Sequence, residues 1–336
     1  MNKRMILYIQ GAILLIESAI MVLPIATALI YRETSGVWFF YTALAAAICG
    51  FAAMKLSKPR TKTIYAKEGL ITVALGWIVL SLVGALPFTL SGEIPFYLDA
   101  VFEMISGFTT TGSSILPNVE ALSRCMLLWR SFSHWLGGMG ILVFMLAIVK
   151  MEGGQGIHLL RAESPGPTVG KMVPRMVDSS KILYTIYFAL TLVQVVFYLA
   201  GGMPLFDSLC NAFATAGTGG FSIKADSFAS YSMYAQTVTT IFMALFGVNF
   251  SIYFFLLQKK FDLAFKNTEL RWYVGIILFS IAMITANILP MYPDFHAAIH
   301  HAAFSVSSVI TTTGFGTENF DLWPEFSRVI LVFLAA

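Results

Sequence analysis

Cysteine is nearly absent from this chain, and charge is scarce. Cys49, Cys125 and Cys210 are three scattered thiols among 336 residues, too few for a disulfide framework or a cysteine-based metal site. Asp, Glu, Lys and Arg make up only 12% of positions, against about a quarter in soluble domains, which excludes an ordinary soluble fold. The net charge of +3 gives no reason to expect a nucleic-acid partner. No dinucleotide-binding fingerprint is present, because Gly153-Gly154-Gln155-Gly156 does not follow a strand and reads as a loop. The first apolar run is expected to be a retained helix and not a cleavable leader. The apolar run after Lys3-Arg4 is too long for one, contains Glu17 and Pro24, and has no clear small-residue cleavage site.

What fills the chain instead is apolar sequence, at 57% of positions. Met5–Ile30, Val37–Met54, Leu70–Leu90, Leu127–Val149, Ile182–Ala200, Val238–Leu257 and Tyr273–Leu289 each approach or exceed the roughly 20 residues needed to cross a bilayer. The expected fold is an all-α polytopic membrane protein in contact with lipid. Sixteen of the 21 Lys and Arg residues fall on one set of connections, around Lys3, Lys55–Lys67, Lys150–Lys181 and Lys259–Arg271. The alternate connections carry Arg32, Arg124, Arg130, Lys224 and Arg328 against eleven acids. The positive-inside rule therefore puts the N-terminus in the cytoplasm.

With that orientation a repeat emerges. A long outward run, a short apolar segment, a Thr/Gly knot and an inward run occur in succession, then recur twice. The expected divisions are a leading helix pair (1–67), a first pore unit (68–150), a cytoplasmic loop (151–180), a second pore unit (181–260) and a third (261–336). The knots are Thr109-Thr110-Thr111-Gly112-Ser113-Ser114, Gly217-Thr218-Gly219-Gly220-Phe221 and Thr311-Thr312-Thr313-Gly314-Phe315-Gly316. Taking Gly112, Gly219 and Gly314 as their central glycines gives spacings of 107 and 95 residues.

A half-length helix that turns back inside a membrane leaves backbone groups unpaired. That is tolerated only where the loop is buried in protein or lines a wet cavity. Glycine-containing loops can direct successive carbonyls at a dehydrated cation, as in potassium-channel filters of Thr-Val-Gly-Tyr-Gly type. Thr312-Thr313-Gly314-Phe315-Gly316 follows that pattern closely. The expected potassium-binding residues are Thr110, Thr111, Gly112 and Ser113; Gly217, Thr218, Gly219 and Gly220; and Thr312, Thr313, Gly314 and Phe315. The C-terminal end of each short helix would add its negative dipole end. Only the third knot has both filter glycines, so weaker exclusion of sodium than in a fourfold Gly-Tyr-Gly ring is expected. Potassium is then the substrate, with no cofactor and no bond chemistry.

These knots, together with Trp129-Arg130-Ser131, Trp135-Leu136-Gly137-Gly138-Met139-Gly140-Ile141 and the loop containing Leu159-Leu160-Arg161-Ala162-Glu163 and Pro165-Gly166-Pro167, resemble the Trk/Ktr/HKT superfamily of potassium transport proteins. Among its branches the chain is similar to the Trk-type pore-forming subunit. The resemblance implies helix–pore loop–helix units around a pseudo-fourfold pore, a homodimer of whole pores in the inner (plasma) membrane, and gating by a cytosolic nucleotide-binding regulatory subunit. It also implies that Gly112, Gly219 and Gly314 are the filter glycines. A fourth unit has no counterpart here, and the third inner helix has thirteen residues after Asp321-Leu322-Trp323, so an N-terminal portion of a longer protein is expected. Other readings are a non-conducting remnant of such a subunit, or a secondary transporter of another small solute. The latter calls for inverted repeats, whereas these run in the same orientation.

The remaining candidates read as structural. His296, His300 and His301 lack a completing Glu or Cys and read as packing or surface residues, not a transition-metal site. Arg130 is expected to pair with Glu103 or Glu120, Glu17 to be held by hydrogen bonds, and Gly137, Gly138 and Gly140 to allow close helix packing.

Overall fold

A computed structural model of the chain describes residues 2–59, 66–140 and 176–335. The expected inner span beyond Gly140 and the loop from Gly153 to Arg175 lie outside the described residues, as do the basic positions Arg60 and Lys62. No strand occurs among the described residues. Five helices are long and apolar enough to cross a membrane, or six if one sharply bent pair counts as a span. In each of the five, only 28–39% of the most apolar window is buried within the chain, so most of its apolar surface faces outward, as a lipid environment requires.

The chain divides into two compact units, Met1–Tyr184 and Thr185–Ala336. In the first, α1 (Lys3–Ile20) and α2 (Val22–Tyr31) form one apolar span interrupted at Met21. The run Met5–Ile30, expected as one helix, is thus interrupted. Pro24 lacks the N–H that would bond one turn back, which accounts for the interruption. Asn2 caps α1 by accepting from the Met5 N–H.

Helix α3 (Gly36–Leu56) packs on α1 through two facing glycines. A Cβ on Gly11 would lie 2.7 Å from the Gly50 carbonyl oxygen, and one on Gly50 would lie 2.7 Å from that of Gly11. This is the small-residue contact by which membrane helices approach closely. Helix α4 (Ala66–Ser91) joins the pair by accepting from the Gln10 amide at the Thr72 carbonyl, 2.9 Å away. The short helix α5 (Tyr97–Phe108) and the returning α6 (Arg124–Gly138) complete the unit. Their shared core holds Phe39, Phe108 and Trp129, whose indole N–H donates to the Gly84 carbonyl at 3.1 Å.

The second unit takes up most of α7 (Met176–Ala200) and repeats the order with a short α8 (Leu205–Ala216) and a returning α9 (Met233–Phe246). The inward run Val238–Leu257, expected as one span, is broken. Helix α9 stops before Gly247, α10 (Phe250–Leu257) restarts at Asn249, and the two axes differ by 87°. Asn249 caps α10 by accepting from the Ser251 N–H. The carbonyls freed at the break are satisfied by side chains, Ala244 by the Tyr273 hydroxyl at 2.9 Å and Leu245 by the Tyr253 hydroxyl at 2.6 Å. A short α11 (Phe261–Phe265) leads to α12 (Thr268–Ile288), α13 (Phe295–Ile310) and α14 (Glu325–Ala335). Ala298, Ala302 and Val306 form a fully buried stripe on α13, against a cluster that includes Ile277, Ile284 and Ile288 of α12.

Candidate filter loops

The three short helices α5, α8 and α13 end alike. At each end the first residue after the helix bonds back to the carbonyl four positions earlier: Thr109 to Ile105, Gly217 to Phe213 and Thr311 to Ser307. The next residue, Thr110, Thr218 or Thr312, takes a left-handed conformation with φ of 56°, 50° or 55°. One position on, Thr111, Gly219 and Thr313 bond to the carbonyls of Ser106, Ala214 and Ser308. Then comes a glycine at positive φ in every copy: Gly112 at 77°, Gly220 at 74° and Gly314 at 83°. A side chain at any of these three would be strained, which is why glycine stands there.

This shared backbone corrects the register read from the sequence. Gly220, not Gly219, is the counterpart of Gly112 and Gly314. Gly217 closes helix α8 as Thr109 and Thr311 close theirs, and Gly219 corresponds to Thr111 and Thr313. The stretch whose backbone matches Thr110–Ser113 and Thr312–Phe315 is therefore Thr218-Gly219-Gly220-Phe221, one residue later than the expected Gly217–Gly220. Counting from the helix ends, Phe-Thr-Thr-Thr-Gly-Ser, Ala-Gly-Thr-Gly-Gly-Phe and Ile-Thr-Thr-Thr-Gly-Phe align without a gap. Two adjacent glycines in the second copy hid that register.

Side chains separate the copies once they are aligned. Thr109 and Thr111 share a hydroxyl–hydroxyl bond of 2.8 Å, and Thr311 and Thr313 share another of the same length. The second loop has Gly217 and Gly219 at those places and no such brace. The residue after the positive-φ glycine is Ser113, Phe221 or Phe315. Both phenylalanines are buried, and Ser113 is exposed.

In the first unit, the loop is anchored by charge. Glu103 of α5 is fully buried and accepts from Arg130 Nε at 2.7 Å and from the guanidinium NH2 at 2.6 Å. The same carboxylate accepts from the Ser114 hydroxyl at 2.9 and 3.1 Å and from the Ile115 N–H at 3.0 Å. Gly137 of α6 presses on the same loop, since a Cβ there would lie 2.3 Å from the Phe108 carbonyl oxygen and 2.8 Å from the Thr110 methyl. Glu120, the other suggested partner of Arg130, lies on the exposed loop after the first knot.

In the second unit the two loops touch. A Cβ on Gly220 would lie 1.9 Å from the Thr313 carbonyl oxygen. Beyond the third knot, the Ser308 hydroxyl donates to the Phe315 carbonyl at 2.7 Å, Phe228 N–H donates to the Gly316 carbonyl at 2.9 Å, and Gly316 N–H donates to the Ser227 hydroxyl at 3.1 Å. Phe228 also packs edge-on against Phe315 at 4.7 Å.

The histidines of α13 serve this scaffold. His300 Nε2 meets the Gln236 side-chain oxygen Oε1 at 2.7 Å. His301 meets the Thr317 hydroxyl at 3.1 Å and Glu318 at 3.3 Å. Tyr292 stacks on His301 and donates to Glu318. Burial pushes the Tyr292 hydroxyl well above the ordinary phenol range, and its bond to Glu318 adds to the shift, so it stays a donor. Among the described residues, no group of three or more His, Cys, Asp or Glu could hold a metal ion. Glu17 is fully buried on α1, and among the described residues neither of its carboxylate oxygens has a hydrogen-bond partner, in contrast to the expected hydrogen-bonded role.

Membrane-length helices, short helices ending in glycine-bearing loops and returning inner helices define a class: a helical membrane protein of pore-loop architecture. The family model for the TrkH cation transport proteins matches residues 39–336, and the chain belongs to that family. It is 34% identical over 338 residues to the Trk system potassium uptake protein TrkH of Salmonella typhimurium, covering 99% of this chain and 70% of that protein. It is 35% identical over 344 residues to the TrkH of Halomonas elongata, again with 70% of the relative covered. The crystal structure of the potassium transporter TrkH from Vibrio parahaemolyticus superposes with a TM-score of 0.86 at 30% identity, covering 99% of this chain and 70% of that one. Proteins of this family are transporters, not enzymes.

Proposed function

We propose that this chain forms the conducting part of a potassium uptake system, with the ion stripped of water and carried along backbone carbonyls of Thr110–Ser113, Thr218–Phe221 and Thr312–Phe315. The observation that carries this reading is the backbone shared by the three loops, left-handed at Thr110, Thr218 and Thr312 and again at Gly112, Gly220 and Gly314. A single such loop could be a helix cap. Three alike, each after a short helix and before a returning one, favour a shared task that depends on main-chain groups. The names of the relatives, which are potassium uptake proteins, support the choice of ion.

Within this reading, the leading pair 1–67 flanks successive pore units, and the N-terminus lies in the cytoplasm, on the side that collects most of the Lys and Arg. A homodimer in the plasma (inner) membrane and a cytosolic nucleotide-binding regulatory subunit belong to the same proposal. The complete protein, expressed in cells lacking their own potassium uptake, is expected to restore growth at low external potassium and to take up rubidium. Expression in the membrane without either effect would contradict the proposal.

A further inference from the structure

The first loop differs from the other two in how it is held. After its positive-φ glycine it has Ser113, exposed, where the second and third loops have Phe221 and Phe315, only 2% and 4% exposed. A buried phenyl ring is an anchor, because moving the loop would drag the ring out of its packing. The first loop has no such ring, and the segment that follows it runs exposed through Ser114 and Ile115.

What the first loop has instead is absent from the others. Counting back from the helix ends Phe108, Ala216 and Ile310, the place of Glu103 is taken by Asn211 and Ser305. Counting from the caps Ser123 and Ser232, and from Pro324, the place of Arg130 is taken by Thr239 and Leu331. The ion pair thus occurs only in the copy that lacks the phenylalanine. Its geometry reaches the segment after the loop directly, since Glu103 takes Arg130 on one side and Ser114 Oγ with Ile115 N–H on the other. With Glu103 and Arg130 at most 1% exposed, the pair is shielded from water, and a carboxylate braced by a guanidinium holds its acceptors in one direction. The pair is neutral overall, so it adds no net charge to the ion's surroundings.

We infer that Glu103 and Arg130 are positioning residues for the first filter loop, replacing the phenylalanine wedge of the other two, and that the fit of this loop to a dehydrated ion depends on them. The inference rests on the filter reading above. Carbonyls that drift would lose the distinction between ions of different radius before they lost conduction.

The test is uptake of rubidium and sodium by the complete protein in potassium-uptake-deficient cells, normalised to protein in the membrane. Ser114→Ala removes the hydroxyl that donates to Glu103 and that accepts from Arg130 Nη2 at 3.4 Å and from the Leu116 N–H at 3.2 Å. It leaves the direct Glu103–Arg130 bonds in place, so it probes the clamp while the two buried charges stay paired. Glu103→Gln weakens the clamp itself. The rubidium-over-sodium preference is expected to fall roughly threefold for Ser114→Ala, which loses one hydroxyl donor to the carboxylate, and about tenfold for Glu103→Gln, which loses the charge that every bond of the clamp shares. Rubidium uptake itself should persist. Gly112→Ser, in the same loop, serves as the control on the filter reading. If Gly112→Ser alters the preference while both clamp variants keep the wild-type ratio, the inference is overturned and the filter reading stands. If Gly112→Ser also leaves the ratio unchanged, both fail. Should Glu103→Gln not reach the membrane, the Ser114→Ala ratio alone decides, a fall supporting the clamp and an unchanged value removing it.

Discussion

Gly220 and Thr313 are neighbours across two loops: the Thr313 carbonyl oxygen occupies the space a Cβ on residue 220 would need, 1.9 Å from its ideal position. Gly220 also sits at a φ of 74°. Alanine there meets two obstacles, a left-handed backbone costing about 1–2 kcal/mol and a clash with rigid main chain. Gly314 shares the positive φ, at 83°, but a Cβ on it would have nothing within 4 Å. Gly220→Ala is therefore expected to lower the thermal stability of the purified protein by clearly more than Gly314→Ala. Equal losses in a thermal-unfolding assay would show that the two loops do not pack this way.

The Glu103–Arg130 pair makes a separate prediction about stability. Removing one member of a buried ion pair leaves the other uncompensated, at a cost of about 3–5 kcal/mol. Arg130→Met should therefore destabilise strongly, and Arg130→Met combined with Glu103→Gln should recover part of the loss. A double variant whose unfolding temperature falls by the sum of the single losses would mean that the two side chains act independently.

At the break in the second inner helix, Tyr273 donates to the carbonyl of Ala244. In a lipid setting no water replaces that donor. Tyr273→Phe is expected to cost about 1–3 kcal/mol and to leave the apolar packing of the ring intact. A variant as stable as wild type would argue that the freed carbonyl finds another partner.

Much of this architecture was legible because bilayer crossing imposes length and apolarity on a helix. The runs beginning near Met5, Val37, Leu70, Ile182 and Tyr273 all correspond to membrane-length helices. The Arg130–Glu103 pair was legible as one of two options beside Glu120, since an arginine in apolar surroundings has few other ways to be buried. Less visible was the break at Gly247–Asn249. Hydropathy is indifferent to direction, and the run stays apolar through an 87° turn. The glycine and the capping asparagine marked it, but neither is decisive alone. The register of the second loop was lost for a related reason. Gly217, Gly219 and Gly220 look alike in sequence, and only φ tells which of them is left-handed. Close approaches such as Gly137 on Phe108, or Gly11 on Gly50, depend on the interhelical distance, which pattern suggests but does not measure.

The measurement that bears most directly on the central claim is the rubidium-over-sodium uptake ratio of the complete protein and of its Gly314→Ser variant. If main-chain carbonyls of the third loop bind the ion, a side chain at Gly314 disturbs them while adding no charge. The ratio should then fall by about tenfold, roughly 1.4 kcal/mol of discrimination. A Gly314→Ser protein present in the membrane at normal amounts, with rubidium uptake intact and the wild-type ratio, would contradict a filter at this loop.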